Sequence, residues 1–176
     1  MPRKKQAPKK RKRPVWYVGV DPGKDGGISI IEGDEVKAIP LPDTEWNRCW
    51  LIRDLLNTSE KKHALLHVCI ERVHSRPRQS AQSGFTFGRG VGLLMGAFYT
   101  MNVSCIEVLP KTWQKDLPIS PRKKNEPTYK WKKRLLEVAQ KLFPSLENWE
   151  KGVTMREKLA VADSLLIANY CRRIYK

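Results

Sequence analysis

The sequence predicts an α/β fold in which helices pack on a mixed β-sheet. Three short, apolar, β-branched runs lie near the N-terminus with glycine-containing turns between them, which is typical of an antiparallel meander. Beyond residue 45, runs with helical spacing alternate with two further strand-like runs, and this gives the order βββαβαβαα. A chain of 176 residues is long enough for one domain with its own core.

Each element follows from apolar spacing and from turn residues. The meander covers 15–20, 28–31 and 36–41, with turns at DPGKDGG and Gly33-Asp34. A helix over about 46–62 is expected to carry on one side Trp46, Trp50, Leu51, Leu55 and Leu56. The later elements are a strand ending at residue 71, a glycine-rich helix over 83–101, a strand over 103–108, a short helix or turn from 110, and helices over 128–143 and 154–173.

The chain is strongly basic. It has 34 Lys and Arg against 18 Asp and Glu, a formal net charge of +16. The first thirteen residues hold eight basic residues and no acid, and without them 26 basic residues remain against 18 acids. We therefore predict a disordered basic tail over 1–14 and a folded domain over 15–176. A nuclear-import signal or a solubility tag would explain the tail, but the basic domain favours a nucleic-acid partner.

Cysteine spacing and hydropathy indicate the compartment. The four cysteines are scattered without a CxxC pair, which is typical of reduced thiols in an intracellular protein. No apolar run approaches 18 residues, so we expect neither a membrane span nor a signal peptide. The cytoplasm of a bacterium or of a phage-infected cell is the expected location, and the basic tail leaves a nucleus or an organelle open.

Three acids stand where apolar residues are expected. Asp21 and Glu71 each end an apolar strand, and Asp163 lies on the apolar stripe of the last helix. A buried carboxylate is costly without a compensating charge, and a shared divalent metal ion would supply one. The alternatives are a solvated strand end for Asp21 and Glu71, and an Arg or Lys partner for Asp163.

Two further features of the helices allow more than one interpretation. Glu157 completes the capping-box pattern Thr154-Met155-Arg156-Glu157, which accounts for it without a role as metal ligand, although that role stays open. Four glycines form a stripe free of side chains along one helix, either for packing on the sheet or against a second subunit. They are Gly84, Gly88, Gly92 and Gly96.

Basic residues follow the strands that carry the acids. Each is a surface charge by default, but together they would surround an acidic centre and bind DNA phosphates. These candidates are Arg72, Arg76, Arg78, Arg89, Lys111, Lys115, Arg122, Lys123, Lys124 and Lys158. We expect Lys111, and next Lys115 or Lys158, to offset charge on the phosphate that reacts. His74 could stack on a base or contact a phosphate, or it could be an ordinary loop histidine.

Four segments in order resemble a known family. VGVDPGKDGGISII, VCIERVHSRPRQSAQSGFTFGRGVGLLMGAF, VLPKTWQK and ADSLLIANY are similar to the RuvC-type Holliday junction resolvases, phage-borne members in particular, which have the RNase H-like fold. The similarity spans about residues 15–172. It implies a five-stranded mixed sheet flanked by helices, and a homodimer, which we place at the glycine-rich helix Ser83 to Met101. It also implies paired, metal-dependent nicks in four-way DNA junctions.

The same resemblance implies the site residues. The metal-binding acids of the family correspond to Asp21, Glu71 and Asp163, which would hold Mg²⁺ or Mn²⁺, two ions per active site. The family usually has an Asp or His three or four residues before the last acid, where this chain has Ala160 and Leu159. Either the Glu157–Lys158 region substitutes, or the site uses three carboxylates.

The alternatives to a junction resolvase are a non-catalytic protein that binds branched DNA and an RNase H-like nuclease that cuts RNA–DNA hybrid.

Overall fold

The computed structural model describes residues 13–72, 74, 80–150 and 152–176. In this part of the chain five strands form one mixed sheet in the order β3-β2-β1-β4-β5. β1 pairs antiparallel with β2 and β2 with β3, whereas β1–β4 and β4–β5 are parallel pairs. The strands are β1 (Val15–Asp21), β2 (Gly27–Glu32), β3 (Glu35–Pro40), β4 (Leu65–Glu71) and β5 (Cys105–Val108). The predicted α/β fold is confirmed.

Helices cover both faces of this sheet. One face packs against α1 and α2, and the other packs against α4 and α5. The helices are α1 (Glu45–Lys61), α2 (Ala81–Tyr99), α3 (Pro110–Gln114), α4 (Thr128–Leu142) and α5 (Met155–Ile174), with a short 3₁₀ turn at Glu147–Trp149. Of the predicted tail over 1–14, only residues 13 and 14 lie within the described part. None of the described helices is long and apolar enough to cross a membrane, and all four cysteines are free thiols.

Polar side chains begin three of the helices. Thr44, Ser80 and Thr154 are the N-caps of α1, α2 and α5, and each accepts a hydrogen bond from a backbone N–H three residues later. At α5 the capping box is complete, because Glu157 Oε2 accepts from the Thr154 N–H at 2.8 Å. Ser80 explains why α2 starts two residues earlier than the predicted 83–101.

Helix α5 lies directly on the centre of the sheet at Gly19. A Cβ built at Gly19 would overlap the backbone oxygen of Ser164 and the backbone nitrogen of Ala168. The side chains of Ser29 and Ser164, which lie in the same helix–sheet contact, join through their Oγ atoms at 2.7 Å. Because glycine has no side chain, position 19 allows the backbone of α5 to approach β1 closely.

The outward face of α1 differs from the prediction. Leu55 and Leu56 are buried as expected, but Trp46 is 70% exposed and Trp50 43% exposed. At 100° per residue, the two tryptophans lie on the side of the helix opposite Ile52 and Leu55. The prediction that they share the core face with the leucines was wrong.

The glycine stripe of α2 does not pack on the sheet. A Cβ built at Gly84, Gly88, Gly92 or Gly96 would meet no atom of the described residues within 4 Å. The buried side of α2 is instead formed by Val91, Leu94 and Phe98. Of the two interpretations of the stripe, packing on the sheet is wrong for the part of the chain that the structure describes.

Candidate active site

The ends of two adjacent parallel strands bring the first two acids to one edge of the sheet. In the strand register, Val20 of β1 pairs with Ile70 of β4, so Asp21 and Glu71 leave the sheet side by side. Carboxyl ends of parallel strands are the usual position of functional residues in α/β folds. Asp163 reaches the same edge from α5, which crosses over β1 at Gly19.

A lysine joins two of the three acids. Lys132 of α4 places its Nζ 3.1 Å from Asp163 Oδ2 and 3.9 Å from Asp21 Oδ2. Both aspartates are buried, each 6% exposed. Asp21 Oδ1 also accepts a hydrogen bond from the Gly23 N–H at 3.0 Å, so the turn after β1 fixes its carboxylate.

Glu71 is held by a different partner. Its Oε1 accepts a hydrogen bond from the indole Nε1–H of Trp113 at 3.2 Å. Trp113 lies on α3 and is buried, and the short helix follows β5 with Pro110 at its first position. The tryptophan therefore orients the glutamate through a fixed, largely buried contact.

The carboxylates raise one another's affinity for protons. Burial, and then the charge of Asp163, raise the pKa of Asp21 to about 6. Burial, and then the charges of Asp21 and Asp163, raise the pKa of Glu71 to about 8. Burial also raises the pKa of Asp163, although Lys132 opposes this shift. Burial lowers the pKa of Lys132, but the carboxylates outweigh it, so the net shift is upward and the ammonium stays charged.

The donor set fits a divalent metal ion by its charge and chemistry. Once all three carboxylates have lost their protons, they and the one ammonium carry a net charge of −2, which a dication would balance. Carboxylate oxygens are the ligands that Mg²⁺ and Mn²⁺ prefer. Within the described residues, no three His, Cys, Asp or Glu side chains are already arranged as a ligand set, and the aspartates instead contact Lys132.

Lys132 and Trp113 were not found from the sequence. Helical spacing could have indicated Lys132, because Leu136 and Ala139 lie four and seven residues further along α4 and are both buried. A lysine on this apolar stripe needs an acidic partner, just as Asp163 on the apolar stripe of α5 needs a basic one. Asp163 therefore has a basic partner, which was one of its two predicted alternatives. The same lysine, Lys132, also contacts Asp21.

The predicted fourth ligand lies elsewhere. Glu157 is exposed in the first turn of α5, and its carboxylate is engaged by Thr154. It stands six residues before Asp163, roughly 9 Å along the helix axis. Lys158 donates a hydrogen bond to the Trp149 backbone oxygen at 3.1 Å. Metal binding by Glu157 would require it to leave the capping box.

The remaining basic candidates lie outside the cluster of acids. Lys111 is exposed on α3, and among the described residues its ammonium forms no ion pair with the three acids. Arg89 pairs with Glu45 at 2.8 Å, and Arg122 bonds to the Glu126 backbone oxygen and the Thr128 hydroxyl. Exposed positions are taken by Arg72, His74, Lys115, Lys123 and Lys124. Arg76 and Arg78 lie outside the described residues, and a DNA contact stays a prediction for all of these residues.

For the nuclease activity that the sequence resemblance implies, we expect Lys132→Gln to reduce phosphodiester cleavage by roughly 10²–10³-fold, the cost typical of removing one preorganised charge from an active site. The substitution keeps much of the side-chain length but removes the charge beside Asp21 and Asp163. Initial rates of nicking of a four-way DNA junction at saturating Mg²⁺ measure this effect.

The matched control is Lys133→Gln. Lys133 is the next residue of α4 but is exposed, with its Nζ 4.9 Å from the centre of the Tyr129 ring. It should retain nearly full activity. Equal losses in both variants would contradict a specific role for Lys132 and indicate general phosphate attraction.

Comparison with known proteins identifies the fold. No protein-family model and no curated protein matches the sequence. Among solved structures, Thermus thermophilus RuvC in complex with a Holliday junction substrate matches with a TM-score of 0.54 and 15% identity, over 92% of this chain and 96% of that chain. A second structure of Thermus thermophilus RuvC matches with a TM-score of 0.51 and 18% identity, over 91% and 96% of the two chains. The predicted RuvC-like fold is therefore confirmed.

Proposed function

We propose that this protein is a metal-dependent DNA endonuclease that nicks four-way junctions. The observation that carries the proposal is the cluster of Asp21, Glu71 and Asp163 around Lys132 at the carboxyl ends of two parallel strands. The cluster stands on the fold of RuvC, for which a complex with a Holliday junction substrate is known. The basic charge of the chain supports a polyanionic substrate.

The residues of the cluster have distinct tasks in this proposal. Asp21, Glu71 and Asp163 would hold Mg²⁺ or Mn²⁺, which when bound activates water and stabilises the leaving 3′ oxygen. The Gly23 N–H fixes the Asp21 carboxylate, and the Trp113 indole fixes Glu71. The Lys132 ammonium offsets negative charge on the phosphate that enters the cluster.

Binding of the junction would rest on phosphate contacts and on shape. Exposed basic residues on the loops beside the cluster would hold the DNA backbone without reading its sequence. Two copies of the chain, related by a two-fold axis, would place two such clusters against opposed strands. Selectivity for a four-way junction would then come from the geometry of the dimer.

A synthetic four-way junction with Mg²⁺ tests the function. We expect paired, symmetric nicks in the junction and little cutting of linear duplex. Binding without nicks at any Mg²⁺ or Mn²⁺ concentration would indicate a junction-binding protein without catalysis. Preferential cutting of RNA–DNA hybrid would overturn the proposed substrate.

The pKa shifts predict how metal-free protein responds to pH. The pKa of Asp21 rises on folding from 3.8 to about 6 and that of Glu71 from 4.5 to about 8, so the folded state binds more protons than the unfolded state between these limits. Stability should therefore fall as pH rises through this range. We expect Tm in EDTA to be lower at pH 8 than at pH 5.5, and Mg²⁺ to restore more stability at pH 8.

Glu71→Gln is the control for this pH dependence. It removes the titration that extends to about pH 8, so its Tm should change less between pH 6 and pH 8 than that of the wild type. A wild-type Tm that does not depend on pH in EDTA, or a stabilisation by Mg²⁺ that is equal at both pH values, would contradict a buried cluster of interacting carboxylates.

The exposed glycine stripe of α2 supports the homodimer. Phe85 is 71% exposed and Tyr99 49% exposed, and helical spacing places both on the same side as Gly88 and Gly92. An open glycine stripe between exposed aromatic residues is a surface that a second helix can approach closely.

Gly92→Leu should convert the dimer to monomer in sedimentation equilibrium, whereas Lys130→Leu on the exposed side of α4 should leave it unchanged. A Gly92→Leu dimer of undiminished stability would exclude this interface.

A further inference from the structure

The ammonium of Lys132 lies within ion-pair distance of two of the three acids. Its Nζ is 3.1 Å from Asp163 Oδ2 and 3.9 Å from Asp21 Oδ2. Among the described residues, Lys132 forms no ion pair with Glu71, whose Oε1 accepts a hydrogen bond from the Trp113 indole. The lysine is therefore centred on Asp21 and Asp163, whereas Asp21 and Glu71 share the adjacent ends of two parallel strands.

Packing of α4 holds Lys132 at this place. Trp131, which precedes it, is buried, as are Leu135 and Leu136 in the next turn. The helix packs against α5, which carries the buried Asp163, and only 34% of the Lys132 side chain is exposed. A buried carboxylate is destabilising without a positive partner, and the lysine supplies that partner from the chain itself. The ammonium is thus part of the cluster and not a surface charge.

The turn of α5 before Asp163 offers no further carboxylate. Leu159 and Ala160, four and three residues earlier, have apolar side chains, of which Leu159 packs against the core and Ala160 is buried. The residue after Asp163 is Ser164, whose Oγ is already paired with Ser29 Oγ at 2.7 Å. This part of the helix therefore adds no fourth acid to the cluster.

The charge of the cluster matches one dication and not two. Three ionised carboxylates and one ammonium carry a net charge of −2. A second dication would leave the cluster at +2, and the single charge of a phosphodiester would offset only half of this excess. Four carboxylates without a lysine would instead carry −4, which two dications balance. The lack of a fourth acid and the presence of a lysine together amount to the charge of one dication.

We propose that Lys132 takes the place of one metal ion, so that each active site holds a single Mg²⁺ or Mn²⁺ instead of the two that the sequence resemblance implies. This inference rests on the proposed function for the reaction. Asp21 and Glu71 would supply the protein oxygens nearest the ion, while Asp163 holds the ammonium. An ammonium has three N–H donors, so Lys132 can contact Asp163 and still donate a hydrogen bond to a phosphate oxygen on which negative charge develops.

The number of bound Mn²⁺ ions tests this inference independently of cleavage. Titration of the full-length protein with Mn²⁺, followed by electron paramagnetic resonance of the free ion, counts the ions per protomer. Spectra with the four-way junction bound then detect a pair of ions. Two Mn²⁺ ions in one active site, roughly 3.5–4 Å apart, are magnetically coupled, whereas ions scattered along DNA are not. For the wild type we expect one Mn²⁺ per protomer and no coupled signal.

Lys132→Glu should create a site for a second ion. It replaces the ammonium by a fourth carboxylate, so we expect two Mn²⁺ per protomer and a coupled signal. Lys133→Glu makes the same change of charge at the next, exposed position of α4 and should keep one ion. Circular dichroism in the presence of Mn²⁺ checks that both variants are folded.

Lys132→Gln is a second test that adds no buried charge. Loss of the ammonium removes its repulsion of the dication, so the first Mn²⁺ should bind roughly 10-fold or more tightly than in the wild type. Lys133→Gln should bind Mn²⁺ with nearly the wild-type affinity. An unchanged Mn²⁺ affinity in Lys132→Gln would overturn the inference, because the ammonium would then not lie beside the ion.

Two further results would overturn the inference. One is a second Mn²⁺ ion or a coupled signal in the wild type, and the other is a single ion in folded Lys132→Glu. Junction nicking is measured separately on the same preparations. A wild type that nicks junctions with two bound ions would overturn only the role of Lys132. One bound ion without nicking would support the single-ion site and contradict only the proposed nuclease.

Discussion

Asp21→Asn should reduce the nicking of a four-way junction by ~10³-fold or more while junction binding stays within a few fold of wild type. Asn keeps the shape of the side chain but removes one of the three negative charges that would hold the metal ion. Metal catalysis contributes several kcal/mol to transition-state stabilisation, and each 1.36 kcal/mol is a factor of ten in rate. Single-turnover nicking and electrophoretic mobility shift, with the same labelled junction, separate the two effects.

Asp25→Asn is the control for this experiment. Asp25 lies four residues away in the same turn, but it is exposed and pairs with Arg156 at 2.8 Å instead of with Lys132. It should cut junctions at nearly the wild-type rate. If Asp21→Asn cut as fast as Asp25→Asn, the cluster of acids would not be the catalytic centre.

Asp163→Asn extends the same reasoning to the helix. Its carboxylate is the nearest acidic partner of Lys132, so the variant should lose activity and also leave the ammonium with Asp21 alone at close range. Glu157→Gln, six residues earlier on α5, should affect the helix cap and leave the cleavage rate nearly unchanged. A large loss of cleavage in Glu157→Gln would show that this residue serves as a ligand despite its place in the capping box.

The α/β class and the unusual positions of the three acids could be read from the sequence because both depend on local patterns. Asp21 and Glu71 interrupt apolar strands at their ends, and Asp163 interrupts an apolar helical stripe, so each was visible from spacing alone. The same criterion applied to α4 would have found Lys132. Its position after a strand favours Lys111 in the sequence, but the buried neighbour of the acids on α3 is Trp113.

Other features differ from the sequence prediction for separate reasons. Size and apolar character alone predict a core position for Trp46 and Trp50, but their angle on the helix places both on its exposed side. The contact of Gly19 with α5 depends on a helix about 145 residues later in the chain, so a glycine within β1 gave no sign of it. Conversely, the regular glycines of α2 were conspicuous in sequence, yet they face open space in the described part of the chain.

Gly19→Ala should lower the unfolding free energy by about 3 kcal/mol or more. The added methyl group would overlap the α5 backbone at Ser164 and Ala168, and its distance to Ala168 Cα would be only 2.8 Å. Backbone atoms within a helix and a strand cannot rotate away as a flexible side chain can, so the helix must move. For a chain of this size the loss corresponds to a fall in Tm of roughly 6–12 °C, which differential scanning calorimetry measures.

Gly90→Ala is the matched control, because Gly90 lies on α2 outside the glycine stripe, its Cβ would meet only the Arg48 Nη1 atom at 4.0 Å, and alanine favours the helix. Movement of α5 away from β1 would also carry Asp163 away from Asp21, since the two acids meet only where the helix crosses the strand. Gly19→Ala that remains folded at low temperature should therefore cut junctions more slowly than wild type. A Gly19→Ala protein with wild-type Tm and activity would contradict the close crossing of α5 over β1, and with it the position of Asp163 beside Lys132 and Asp21.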